Sequence, residues 1–120
     1  MLFAESHEWI KITDRIGHVG ISNHAKNELG EIVYVELPQV GNSVKAGQEV
    51  AVLESTKAAA DIYSPVSGVI TEVNTRVREN PCLINSSPEE EGWLFQIEIS
   101  QPQELDGLID QKRYLVLTKN

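Results

Sequence analysis

With a single cysteine, Cys82, the 120-residue chain cannot close an internal disulfide, so its stability has to come from a packed core, and a reducing compartment suits it. Positive charge is scarce: 10 Lys and Arg stand against 18 Asp and Glu, for a net charge of −8. No basic stretch offsets that balance, which argues against nucleic acid as a partner and favours proteins with positive docking surfaces. No apolar run approaches membrane-spanning length. The opening Met1-Leu2-Phe3-Ala4-Glu5-Ser6-His7-Glu8-Trp9 lacks the basic region and apolar run of a secretory signal, so a cytoplasmic protein with no membrane association is expected. A glycine-rich phosphate loop, a nucleophile elbow and cysteine pairs for zinc are all missing. His7, His18 and His24 show no helical metal-ligand spacing, so no metal and no catalytic residue are expected.

What is present is ordinary for a folded domain: 41% hydrophobic and 23% charged residues, in a length that fits one domain over residues 1–120. Glu8 to Thr13 and His18 to Ile21 read as a hairpin around the polar turn 14–17, with Trp9 in the core. Ser22 or Asn23 can cap a short helix from His24 to Leu29, stopped by Gly30. The β-branched and aromatic run Ile32 to Leu37 predicts a strand, and further strands are expected at Glu49–Glu54, Ala59–Tyr63, Gly68–Asn74 and Trp93–Ile99. Two C-terminal helices are expected, one capped by Ser100 with Pro102 in its first turn and one from Gln111 to Lys119. The acidic run Glu89-Glu90-Glu91 reads as a solvated loop, and Asn85-Ser86-Ser87 as a turn.

A faint internal echo pairs Val44–Val50 with Val77–Leu83 and Gly30–Val35 with Gly68–Val73. If it marks two β units packed face to face in a flattened barrel or sandwich, Lys57 falls on the tight turn between them. That lysine, one of six, is flanked by Ser55, Thr56, Ala58, Ala59 and Ala60, small residues that let a modifying enzyme close around it. Lysine is a common target of acylation, which replaces the charge with a neutral amide. A rigid turn that holds the base of an acylated arm while its tip moves between partners is the arrangement of a carrier.

Glu54-Ser55-Thr56-Lys57-Ala58 followed by Asp61-Ile62-Tyr63-Ser64-Pro65-Val66-Ser67-Gly68 resembles the glycine cleavage system H proteins, which are lipoyl carriers. The resemblance extends in order through Ser6-His7-Glu8-Trp9, His24-Ala25, Leu29-Gly30-Glu31, Val35-Glu36-Leu37-Pro38, Leu83-Ile84-Asn85 and Gly92-Trp93, across almost the whole chain. Biotin carriers usually place methionine on both sides of the lysine, where this chain has Thr56 and Ala58. Thr56 departs from the family's usual valine, and the N-terminus is shorter than usual by several residues.

The resemblance implies a mainly β fold, a flattened barrel/sandwich hybrid of the biotinyl/lipoyl-carrier type with short peripheral and C-terminal helices. It implies lipoate bound covalently to Lys57 as N6-lipoyllysine. Glu54 and Gly68 match the acidic residue and glycine by which lipoyl ligases or transferases recognise the lysine. Ser6, Glu8 and Asp61 match the cleft that shelters the loaded arm, with Glu8 as the partner of the charged amine. The implied role is non-catalytic. The arm takes an aminomethyl group from the pyridoxal-phosphate glycine decarboxylase (P protein) and yields it to the tetrahydrofolate-dependent aminomethyltransferase (T protein). Dihydrolipoamide dehydrogenase (L protein) then reoxidises it. A monomer is expected. The alternatives are a lipoyl relay that donates lipoate to other enzymes, or a non-lipoylated interaction module.

Overall fold

The computed structural model describes residues 1–119. Its strands are β1 (Leu2–Phe3), β2 (Glu8–Thr13), β3 (Ile16–Ile21), β4 (Ile32–Glu36), β5 (Ser43–Val44), β6 (Glu49–Ser55), β7 (Ala59–Tyr63), β8 (Gly68–Val73), β9 (Phe95–Ile99) and β10 (Ile109–Asp110). The helices are α1 (Asn23–Leu29), α2 (Thr75–Glu79), α3 (Cys82–Ser86) and α4 (Gln111–Leu117), with a 3-10 turn over Pro102–Gly107. The strands form two sheets, ordered β10-β1-β2-β3-β9-β8-β5 and β4-β6-β7, and neither closes on itself. The result is a flattened body of 36 × 35 × 21 Å.

The alternation of β6 shows why the sheets face each other: Ala51, Leu53 and Ser55 turn inward while Glu54 faces out. Ala51 and Leu53 join Ile10, Val19, Ile21, Val35, Ile62, Ile70, Phe95 and Ile97 in one core. A second, smaller cluster holds Phe3, Trp9 and Tyr114, with the Phe3 and Tyr114 rings stacked 3.9 Å apart. Trp9, expected in the core, is there, and its indole N–H donates to the Pro88 carbonyl at 2.9 Å.

Several boundaries differ from expectation. The first hairpin turns on Asp14 and Arg15 alone, because Asp14 adopts a left-handed φ of 58° and Thr13 pairs directly with Ile16. The segment after Ser100 forms a 3-10 turn, and α4 is capped by Asp110, whose carboxylate accepts from the Arg113 N–H. Trp93 precedes β9 instead of beginning it. The echo fails in one half: Val44–Val50 spans β5, a turn and the start of β6, whereas Val77–Leu83 runs through α2 and α3. Nor is the acidic run only solvated, since the Glu89 carboxylate accepts from the Asn23 N–H at the start of α1.

Candidate functional site

Lys57 stands at the tip of the hairpin that joins β6 to β7 in the smaller sheet, in the exposed stretch Thr56-Lys57-Ala58. One hydroxyl closes this turn. Ser55 Oγ accepts from the N–H groups of Lys57 and Ala58, both at 3.1 Å, and donates to the Ala58 carbonyl at 3.1 Å. Its donor and both acceptor sites are thereby used, which explains a buried serine at this point. The Thr56 N–H donates to the Glu31 carbonyl at 3.0 Å and so ties the turn to the segment between α1 and β4.

The Lys57 side chain lies over the end of α1. Its ammonium donates to the Glu28 carbonyl at 3.2 Å, where a helix exposes carbonyls without intrahelical partners and where its dipole favours a cation. Gly30 ends the helix with a φ of 85°, and a Cβ there would stand 3.0 Å from Lys57 Cε. Glycine thus supplies both the left-handed turn and the room for the lysine stem.

Next to the hairpin is a small cavity of about 180 Å³ between β7, α1 and the connection from β1 to β2. Its walls include Ser6 and Asp61 together with Ala25, Leu29, Ala60 and Ile62, an apolar lining with polar groups at intervals. Two of the three expected cleft residues therefore share one cavity. Glu8 lies beneath it: the residue is 1% exposed, one carboxylate oxygen accepts from the Ser6 hydroxyl, and the other accepts from the Tyr63 N–H at 3.0 Å. Its bonds join the β1–β2 connection to β7, so Glu8 braces the cavity through Ser6 rather than lining it. His7, Ala25, Glu28 and Leu29 also line the space, and their sequence separation from Asp61 hides that role.

The two residues matched to ligase recognition part company. Glu54 is exposed on β6 opposite Ala59, at the base of the turn. Gly68 is buried at the start of β8 in the other sheet, where a Cβ would lie 2.1 Å from the Glu98 carbonyl oxygen of β9. The structure therefore gives Gly68 a packing requirement of its own, the close approach of two strands.

The family model described as "Glycine cleavage H-protein" matches residues 1–120. The chain belongs to the glycine cleavage H-protein family. It is 53% identical to the glycine cleavage system H protein of Thermotoga maritima over 112 residues, which cover 93% of this chain and 90% of that one. It is 48% identical over 112 residues to the mitochondrial glycine cleavage system H protein 2 of Arabidopsis thaliana, covering 93% and 72%. The crystal structure of the H protein from Mycobacterium marinum superposes with a TM-score of 0.91 at 34% identity, covering 99% of this chain and 96% of that one. The two-sheet architecture is thus the family's lipoyl-carrier fold, and the function is the family's: a carrier subunit that bears lipoate on a lysine and is not itself an enzyme.

Proposed function

We propose that Lys57 is the lysine that carries the lipoyl group, and that its arm uses the cavity walled by Ser6 and Asp61 when loaded. The observation that supports this most directly is the placement of Lys57: it tops a turn clamped by Ser55, and its stem lies on α1, which also forms a wall of that cavity. A family function of lipoyl carriage between the P, T and L proteins calls for an accessible lysine on a fixed base. Lys57 meets both conditions.

Lys57 would hold the lipoyl group through an amide, and the group would supply a ring disulfide open to reductive transfer of the aminomethyl unit. The chain's own residues do the rest. Ser55 fixes the base of the arm, the apolar walls Ala25, Leu29 and Ile62 exclude water, and Ser6 and Asp61 offer polar contacts to the cargo. Glu8 keeps Ser6 in position. Glu54, beside the turn and in water, suits ligase recognition, whereas Gly68 would act through the packing of β8 on β9. We further read residues 1–120 as one carrier domain acting as a monomer in the cytoplasm, a compartment suited to the free thiol of Cys82.

The test is intact-mass analysis of the chain after exposure to a lipoyl ligase and lipoate. One lipoyl increment is expected, mapping to Lys57 and missing from Lys57→Arg. An increment on any other lysine, or none on the wild type, would refute the assignment.

A further inference from the structure

The sequence keeps His7 far from His24 and Glu28, yet the fold brings the three together. His7 sits on the connection between β1 and β2, His24 and Glu28 lie one turn apart on α1, and a donor atom from each lies within 4.8 Å of the others. We propose that His7, His24 and Glu28 form a binding site for a divalent transition cation of the zinc class. None of the three donors is a residue assigned to the arm, although His7 and Glu28 share the cavity proposed to receive it.

Two imidazoles and a carboxylate are a donor set that zinc takes with an open fourth position. The same set is poor for magnesium or calcium, which prefer oxygen ligands. His24 Nε2 is already 3.0 Å from Glu28 Oε1, and the His7 and His24 rings lie 4.7 Å apart between centroids at 45°. Donors on a tetrahedral zinc stand roughly 3.3 Å from one another. The largest gap, 4.8 Å or less, thus has to close by roughly 1.5 Å. The exposed Glu28 and the half-buried His24 are free to make that adjustment, while His7 stays fixed.

His7 is the better held member. Its backbone has a φ of 77°, unusual for a residue with a side chain, and is pinned by its N–H to the Ala4 carbonyl at 2.9 Å and by the Ser22 N–H to its own carbonyl at 3.0 Å. Its Nδ1 is 2.7 Å from the Tyr114 hydroxyl, which is in turn 2.7 Å from Ser22 Oγ. In the tautomer a metal requires, Nδ1–H donates to Tyr114, Tyr114 donates to Ser22, and Nε2 keeps its lone pair. Such outer partners fix ring orientation and raise ligand basicity at metal sites. Since His7 and Glu28 both line the small cavity, the fourth position faces that space.

The full-length chain, unmodified at Lys57 and stripped with a chelator, is titrated with Zn2+ in competition with a chromophoric chelator while the imidazole resonances are followed by NMR. One Zn2+ per chain is expected, shifting the His7 and His24 signals and leaving His18, which hydrogen-bonds Gln96 elsewhere, unmoved. His24→Gln and Glu28→Gln should each weaken binding tenfold or more, Tyr114→Phe about tenfold through loss of the outer partner, and His18→Gln not at all. Mg2+ should not compete. Absence of binding by the wild type, equal binding by His24→Gln, or displacement by equimolar Mg2+ would each overturn the assignment.

Discussion

Two hairpins of this fold close their turns by opposite means. Between β2 and β3 the backbone does the work: Asp14 takes a left-handed conformation, and the strands stay in register over all six residues. Between β6 and β7 no residue is left-handed; the Ser55 side chain gathers the turn, and the strands carry an irregularity between Glu49 and Ala51. The first device uses no side-chain hydrogen bond within the turn; the Arg15 guanidinium donates instead to the Ile99 carbonyl of β9 at 3.5 Å. The second spends a buried hydroxyl to hold two N–H groups directly beneath Lys57, so the lysine emerges from a point with little backbone freedom. A structural turn and a presenting turn are thereby distinguished within one chain.

The largest effect that can test this contrast is Lys57→Arg. It should abolish lipoylation and glycine-dependent turnover in a reconstituted system while the thermal transition stays where it was; turnover that survives would remove the presenting role altogether. Next in size is Gly68→Ala. Its new methyl meets the Glu98 carbonyl, and overpacking of this kind costs about 1–3 kcal/mol, measurable by urea denaturation. If Gly68 acts through packing, lipoylation of the variant should fall only as far as its folded fraction does. A well-folded variant that the ligase ignores would instead make Gly68 a direct mark.

The two turns can then be broken separately. Ser55→Ala should cost roughly 1 kcal/mol and slow lipoylation in a time course, because two N–H groups lose their acceptor. Asp14→Ala should cost less than about 1–2 kcal/mol, the full left-handed penalty of which aspartate already bears a part, and leave lipoylation rates unchanged. Equal effects of both variants on the ligase would erase the distinction between the turns.

The Lys57 hairpin was legible because β6 and β7 have clear strand composition and small residues sit between them. α1 was legible too, and of its two candidate caps, Ser22 and Asn23, Ser22 is the one in place, accepting from the Ala25 N–H. The two-residue strands β1, β5 and β10 are too short for any periodicity to show. α2 and α3, of five residues each, lack a side-chain cap, and their apolar positions imitate a strand closely enough to suggest the echo. The burial of Glu8 was hidden for a different reason. Ser6 is a near neighbour, but its other partner, the Tyr63 N–H, is brought to it by the packing of β7 against the β1–β2 connection, a long-range event that local patterning does not record.

The smallest effect concerns the other end of the chain. Burial, against the opposing influence of the Ser22 hydrogen bond, holds the Tyr114 hydroxyl above its ordinary value of 10.0, with Glu89, Glu28 and Glu8 adding to the rise. A raised folded pKa means that above about pH 10 the unfolded tyrosine loses its proton first, so unfolding releases protons and stability falls as pH rises. The melting temperature should therefore decline as pH rises past about 10, and Tyr114→Phe should flatten the decline. An unchanged slope would mean that other groups set the alkaline limit.

The bond from Lys57 to the Glu28 carbonyl bears on the lipoylation proposed for Lys57. Acylation turns an ammonium with three hydrogens into an amide with one, and a single carbonyl needs only one donor. The resting site of the bare lysine therefore remains usable by the amide after the charge is gone. With Gly30 leaving Lys57 Cδ and Cε unobstructed, the root of a lipoyl arm can keep the same berth while only its distal part changes address.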